Sequence, residues 1–298
     1  MARTRFRSDA GLVARMSTVM LLLGALYVTV FVAIAVFSDL TTPVVLFLAA
    51  AVGIGQWYFS DKLSMRAMRA REVSPEQAPE LHGMIDRLCV LADMPKPRVA
   101  VAHTDIPNAF ATGRSPQHSV VCVTTGLMRR LDREELEGVL SHELSHVAHR
   151  DVTVMTVAGF LGVAAGLVMR WGLYFVGGRR DSNALPFLVI WLGSIVVYLI
   201  SFLLTRVLSR YRELSADRAG AYLTGKPSAL ASAFTKISGD MARIPTRDLR
   251  QVEGASAFLF APAINRQSFS ALFATHPPLE RRLEQLAQIS GDLSRPTG

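Results

Sequence analysis

The sequence predicts a mainly α-helical membrane protein in which four transmembrane helices carry a soluble α+β part with a small β-sheet. Three observations lead there. Half of the residues are hydrophobic and mean hydropathy is positive, which is high for a soluble domain. The apolar residues gather into four runs, at about 17–37, 43–59, 152–169 and 185–205, each near the length that crosses a bilayer. The remaining segments alternate between helical periodicity and two short β-branched stretches. The formal net charge is +8. The arginines cluster beside the apolar runs, where they suit anionic lipid headgroups, and no nucleic-acid motif accompanies them. Cys89 and Cys122 form no C-x-x-C pair and read as small buried residues.

Taken in order, Arg3, Arg5, Arg7 and Arg15 precede the first apolar run. A cleaved signal peptide would have a shorter apolar region and a small-residue cleavage site. Here the run ends in Ser38-Asp39-Leu40-Thr41-Thr42-Pro43 and the next begins at once, so 1–60 is expected to be a transmembrane hairpin. Its connection has no Lys or Arg, whereas the far flank has Lys62, Arg66, Arg69 and Arg71; the positive-inside rule places both flanks in the cytoplasm. Residues 61–151 are the first cytoplasmic part. A Ser74-x-x-Gln77 start signal and an apolar face from Leu81 to Leu91 predict a helix over about 76–92. Arg98–Ala102 and Ser119–Thr124 are expected strands, and 107–113 between them reads as an ordinary polar turn. Residues 152–205 form a second hairpin whose loop carries Arg170, Arg179 and Arg180. The first helices set the orientation and put that loop outside; a shallow, partly inserted hairpin is the alternative. Residues 206–298 are the second cytoplasmic part, helical over 219–250 and again over 278–289, where Pro278 suits the first turn. Phe258–Pro262 reads as a strand or a buried loop.

The chemistry concentrates in His142-Glu143-Leu144-Ser145-His146, an H-E-x-x-H motif. Residues four apart share one face of a helix, so both imidazoles can reach one metal ion, and Glu143 can reach a water on that ion without being a ligand. Zinc suits such donors and keeps a position open for water in catalytic sites. Asp132 and Glu135 form a helix start signal, and Leu136, Val139, Leu140 and Val147 give the helix an apolar face. Asp151 is expected to end this helix, with a supporting role behind a metal ligand open. His149 reads as a polar residue at the helix end, with a fourth-ligand role open. A two-histidine site needs a third protein ligand, and Glu213 and Asp217, again four apart, have two readings. Glu213 binds zinc while Asp217 accepts from the far N–H of a zinc histidine, or both lie on a solvated face paired with Arg210, Arg212 and Arg218. His146 lies a few residues before one span and Glu213 about eight after another, about 12 Å along a helix. Both halves of the site are therefore expected at the cytoplasmic membrane surface, with membrane proteins or polypeptides near it as substrates.

Several blocks in order resemble the HtpX family of membrane-bound zinc metalloproteases, relatives of the CAAX prenyl endopeptidases. They are Glu72-Val73-Ser74-Pro75, Pro107-Asn108-Ala109-Phe110-Ala111-Thr112-Gly113, Thr124-Thr125-Gly126-Leu127, Leu136 through His146, Ser209 through Asp217, and Thr275-His276-Pro277-Pro278. The resemblance implies a zincin-like protease domain holding one zinc per chain on His142, His146 and Glu213, with Glu143 as the catalytic carboxylate. It implies that Asn108 holds substrate backbone, and that His276 and Arg282 steady the developing oxyanion. It further implies residence in a bacterial inner membrane as a multi-pass protein, with the active site in the cytoplasm. The work implied is quality control of misfolded or damaged membrane proteins, with a tendency to self-cleavage.

On this reading Glu143 takes a proton from the attacking water and passes one to the leaving amine. The strand near Ser119–Thr124 is expected to offer a sheet edge to an extended peptide. Three other readings stay open: a selective processing protease of the prenyl-peptide type, a non-catalytic scaffold or chaperone with structural zinc, and a small transporter. An intact Glu143 and only three protein ligands weigh against the scaffold, and nearly charge-free spans against the transporter.

Overall fold

A computed structural model describes residues 10–37, single positions between 47 and 56, and 57–177, 185–241 and 277–295. The chain is mostly helical around one small mixed sheet. In order the elements are α1 (Ala10–Phe37), α2 (Ser60–Ala67), β1 (Arg71–Glu72), α3 (Pro79–Ala92), β2 (Arg98–Ala102), β3 (Ala109–Ser115) and β4 (His118–Thr124). They continue with α4 (Thr125–Arg130), α5 (Arg133–Ala148), α6 (Asp151–Gly177), α7 (Leu185–Thr224), α8 (Pro227–Met241) and α9 (Leu279–Ser294). The Ser74–Gln77 signal makes a turn ahead of α3, with the Ser74 N–H donating to Gln77 Oε1 at 2.9 Å. The helix itself starts at Pro79, whose missing N–H costs nothing there.

The sheet order is β1-β2-β4-β3. β2 and β4 run parallel with Val99 opposite Val121, while β1 and β3 lie antiparallel on the outside. Both expected strands form, but two expectations change. Residues 109–113 are no turn; they belong to β3, which pairs Ala109 with Val123 and Ala111 with Val121. And β4, flanked on both sides, has no free edge to offer a peptide; the outer strands of the sheet are β1 and β3. The β3–β4 pairing shifts register at Gly113, whose φ of 136° is a conformation that a side chain rarely tolerates.

Because both faces of the sheet are covered, β4 reads as a continuous apolar run. Val121 and Val123 face α3 and α5 in a core with Ile85, Leu88, Val139, Leu140 and Leu144. Val120 and Cys122 face the other way, with Ala100, Phe110 and Met68, the residue that follows α2. The two cysteines are buried and unpaired, and burial raises their thiols to about 11 for Cys89 and about 12 for Cys122, so both are unreactive packing residues.

Helix α5 begins with a complete capping box. The Glu135 N–H donates to Asp132 Oδ1 at 2.9 Å and the Asp132 N–H to Glu135 Oε2 at 3.0 Å. Glu135 also accepts from Ser232 and Lys236, both at 2.6 Å, and so ties α8 to the start of α5. Helix α7 crosses α5 at Gly220, where a Cβ would lie 2.8 Å from Ser141 Oγ and 3.0 Å from the His142 nitrogen. The glycine costs helix stability but permits this approach, which brings α7 within reach of the motif. Gly220→Ala should therefore lower stability by about 1–3 kcal/mol through overpacking, less about 1 kcal/mol of helix propensity. Thermal unfolding with and without added metal checks this, and a larger loss is expected with metal present because His142 sits at the crossing.

Of the four expected spans, one helix among the described residues, Trp191–Thr224 within α7, is long and apolar enough to cross a membrane by length and composition. The apolar helical stretches Ala14–Leu26 and Asp151–Gly166 are shorter. Helices α1, α6 and α7 meet through Val19, Leu23, Ala158 and Leu208. The loop with Arg179 and Arg180, most of the 43–59 run, Phe258–Pro262 and His276 lie outside the described residues.

Candidate metal centre

His142 and His146 stand one turn apart on α5, and their Nε2 atoms are 3.1 Å from each other. Glu213 meets them from α7, with Oε2 at 3.6 Å from His142 Nε2 and Oε1 at 3.5 Å from His146 Nε2. One donor atom from each of the three lies within 4.8 Å of the others, a grouping that could hold a metal ion. Glu213 is 8% exposed and Asp217 fully buried, so the solvated-face reading of that pair does not hold. Two imidazole nitrogens and one carboxylate oxygen are a donor set that zinc accepts, and three protein donors leave a position open.

Each histidine is held from behind. His142 Nδ1 lies 2.8 Å from Asp217 Oδ1, a contact that suits one of the two arrangements open for that residue from sequence. Asp217 is gripped by Arg282 of α9, whose Nε and Nη2 donate to its two oxygens at 2.7 and 2.6 Å. His146 Nδ1 lies 2.6 Å from Asp151 Oδ2. Here the expectation that Asp151 ends the motif helix is corrected. α5 stops at Ala148, Arg150 turns the chain at a φ of 55°, and Asp151 is the first residue of α6. That turn carries its carboxylate back to the histidine. His149 caps the end of α5, with its Nδ1 donating to the Ser145 carbonyl at 2.7 Å.

The electrostatics follow from burial and these partners. Burial alone would lower the His142 pKa, but Asp217 and Glu213 outweigh it and bring the ring to about 9. A protonated His142 has no lone pair to give, so an entering metal must displace that proton. Burial holds His146 below its ordinary value. Burial raises the Glu143 carboxyl, an effect that the two neighbouring histidines reduce. A backbone hydrogen bond from Ala111 of β3 also reaches Glu143, so the motif helix lies against the edge strand.

The other candidates fall as follows. Asn108 is buried at the mouth of β3, three residues before Ala111. Its backbone is fixed by Thr124, whose Oγ1 accepts from the Asn108 N–H at 2.9 Å and whose N–H donates to the Asn108 carbonyl at 2.9 Å. Arg282 is at the centre, but its guanidinium lies on Asp217 and 3.7 Å from Glu213. One contributor escaped sequence reasoning. Phe234 of α8 packs edge-on to the His142 ring, with centroids 6.0 Å apart, and lies under the Arg282 guanidinium at 3.8 Å. Nothing in the sequence distinguishes it from an ordinary apolar face of α8.

Two imidazoles and two carboxylates, Glu143 and Glu213, thus gather in one buried place where a metal ion could be held and a proton moved beside it. Such a set suits a metal-dependent hydrolase. Comparison with known proteins agrees. The sequence profile of Peptidase family M48 matches residues 75–290. The chain is 56% identical over 295 residues to "Protease HtpX homolog 1" of Streptomyces coelicolor, covering 98% of this chain and 97% of that one. It is 50% identical to "Protease HtpX homolog" of Moorella thermoacetica, covering 98% of each. Among solved structures, that of S. mikatae Ste24p shares the fold at a TM-score of 0.56 and 16% identity. The match covers 91% of this chain and 62% of that one, so the chain spans about three fifths of that structure's length. The chain belongs to the HtpX proteases of peptidase family M48.

Proposed function

We propose that the protein is a membrane-bound zinc endopeptidase that cuts misfolded or damaged membrane proteins at the cytoplasmic face of a bacterial inner membrane. The observation that carries the catalytic part is the convergence of His142, His146 and Glu213 within 4.8 Å beside a buried Glu143. One zinc per chain is held by those three side chains. A zinc ion held there would supply Lewis acidity towards a carbonyl oxygen and would acidify a water. Glu143 is the residue assigned to take a proton from the attacking water and to deliver one to the leaving amine. Asn108 and the outer strand β3 are assigned to hold the substrate as an added strand, giving backbone affinity with little sequence preference. His276 is assigned to the oxyanion. Arg282 is assigned to holding Asp217, because both edges of that contact are already made.

The membrane part rests on α7. Leu192, Val196, Leu199 and Leu203 are each about half exposed and recur at three- and four-residue spacing, a stripe suited to lipid. With the runs at 17–37, 43–59 and 152–169, the four-span reading places both soluble parts at one membrane face. Glu213→Ala tests the metal assignment. It should lower zinc affinity by more than about 100-fold, beyond the effect of losing a supporting residue. The check is metal content after dialysis of the detergent-purified full chain, with cleavage of an unfolded polypeptide followed after zinc is restored. Unchanged zinc content would move the third ligand elsewhere.

A further inference from the structure

Resting on that metal reading, we propose that Asp151 and Arg212 are positioning residues for His146, aiming its Nε2 at the metal as Asp217 and Arg282 aim that of His142. Three observations carry this. First, the 2.6 Å contact between Asp151 Oδ2 and His146 Nδ1 requires Nδ1 to bear the proton, which leaves Nε2 as the donor facing Glu213 and His142. Second, the other Asp151 oxygen is paired with the Arg212 guanidinium, and Arg212 is only 6% exposed. Arg212 also donates to the His149 carbonyl at 3.1 Å, so it closes the end of α5 as well as the start of α6. Third, the arrangement repeats. Each histidine is followed by a carboxylate and then by a buried guanidinium, but the parts come from different elements: α7 and α9 behind His142, α6 and α7 behind His146.

The repetition has a geometric purpose. A histidine on a helix can still swing about its side-chain bonds, and one hydrogen bond to its far nitrogen removes that freedom and sets the tautomer. A carboxylate alone would itself rotate; a buried arginine on its second oxygen holds it. Arg212 precedes Glu213 in sequence, so the same residue that steadies Asp151 also fixes the turn of α7 that presents Glu213. The competing view is that Asp151 merely starts α6, where an acidic residue favours the helix dipole.

The test uses the full chain in detergent. Zinc affinity is measured by competition with a chelator, alongside the visible spectrum of the cobalt(II)-substituted protein, for wild type, Asp151→Ala and Asp151→Asn. Asp151→Ala should bind zinc about 10- to 100-fold more weakly, and its cobalt bands should shift as the His146 ring reorients. Asp151→Asn keeps the volume and an acceptor oxygen, guards against misfolding, and should show a smaller loss of the same kind. Zinc affinity and cobalt spectra matching wild type in both variants would reduce Asp151 to a helix-start residue and overturn the proposal. A wild-type chain that bound no zinc, or bound it equally well after His142→Ala, would instead overturn the metal reading beneath it.

Discussion

Glu143→Gln should leave zinc in place and slow cleavage by about 100- to 10,000-fold, the range over which a positioned acid–base group contributes. The substitution is nearly isosteric. The amide oxygen can still accept from Ala111, so the contact between α5 and β3 survives. Glu143 stands outside the trio of donors, so its charge is not needed to retain the metal. What disappears on the proposed reading is the ability to take a proton, at a carboxyl that burial raises above its ordinary value. Single-turnover cleavage of an unfolded polypeptide, with metal content determined on the same sample, separates the two effects. Full activity in the variant would require the base to be another residue; loss of zinc would make Glu143 a ligand.

The second large effect is on stability. Arg282→Met should cost about 3 kcal/mol, because it takes the guanidinium from both oxygens of the fully buried Asp217 and leaves that charge only partly compensated by His142. Arg282 makes two charge-assisted bonds to Asp217 and stacks on Phe234, so one change loosens α7, α8 and α9 together. Asp217→Asn added to Arg282→Met removes the stranded charge and should recover part of the loss. Urea unfolding of wild type, both single variants and the double variant yields the coupling between the two sites. Additive effects would mean that the pair contributes little beyond packing.

These expectations also show which parts of the site were legible from sequence. The motif helix was, because both its geometry and its capping box are local: residues three or four apart meet on any helix whatever surrounds it. Glu213 and Asp217 were legible in pairs for the same reason, and only their burial separated a ligand from a solvated face. Arg212 was visible only as a charge. Its contact with Asp151 depends on how α7 crosses the α5–α6 junction, which no local pattern records. The break between α5 and α6 was also hidden, since it turns on Arg150 in a left-handed conformation where a Gly or Asn would have announced it. Strand β3 was missed because Ala-Phe-Ala-Thr-Gly has little strand preference of its own; it is a strand because valine-rich β4 lies alongside. The order of strands, and hence which of them lie on the outside, is a property of the whole sheet.

Helix α7 runs unbroken for 40 residues, about 60 Å at 1.5 Å per residue, from its apolar start through Glu213 and Asp217. A rod of that kind transmits displacement. Metal–ligand distances tolerate only about 0.2 Å, whereas sliding α7 by a single residue moves Glu213 by about 1.5 Å. If the apolar part of α7 lies in a bilayer, a change in local thickness that tilts it reaches the far end as a misplaced carboxylate. The helix is then a lever with its short arm at the peptide bond, and the state of the surrounding lipid enters the rate of cutting through it.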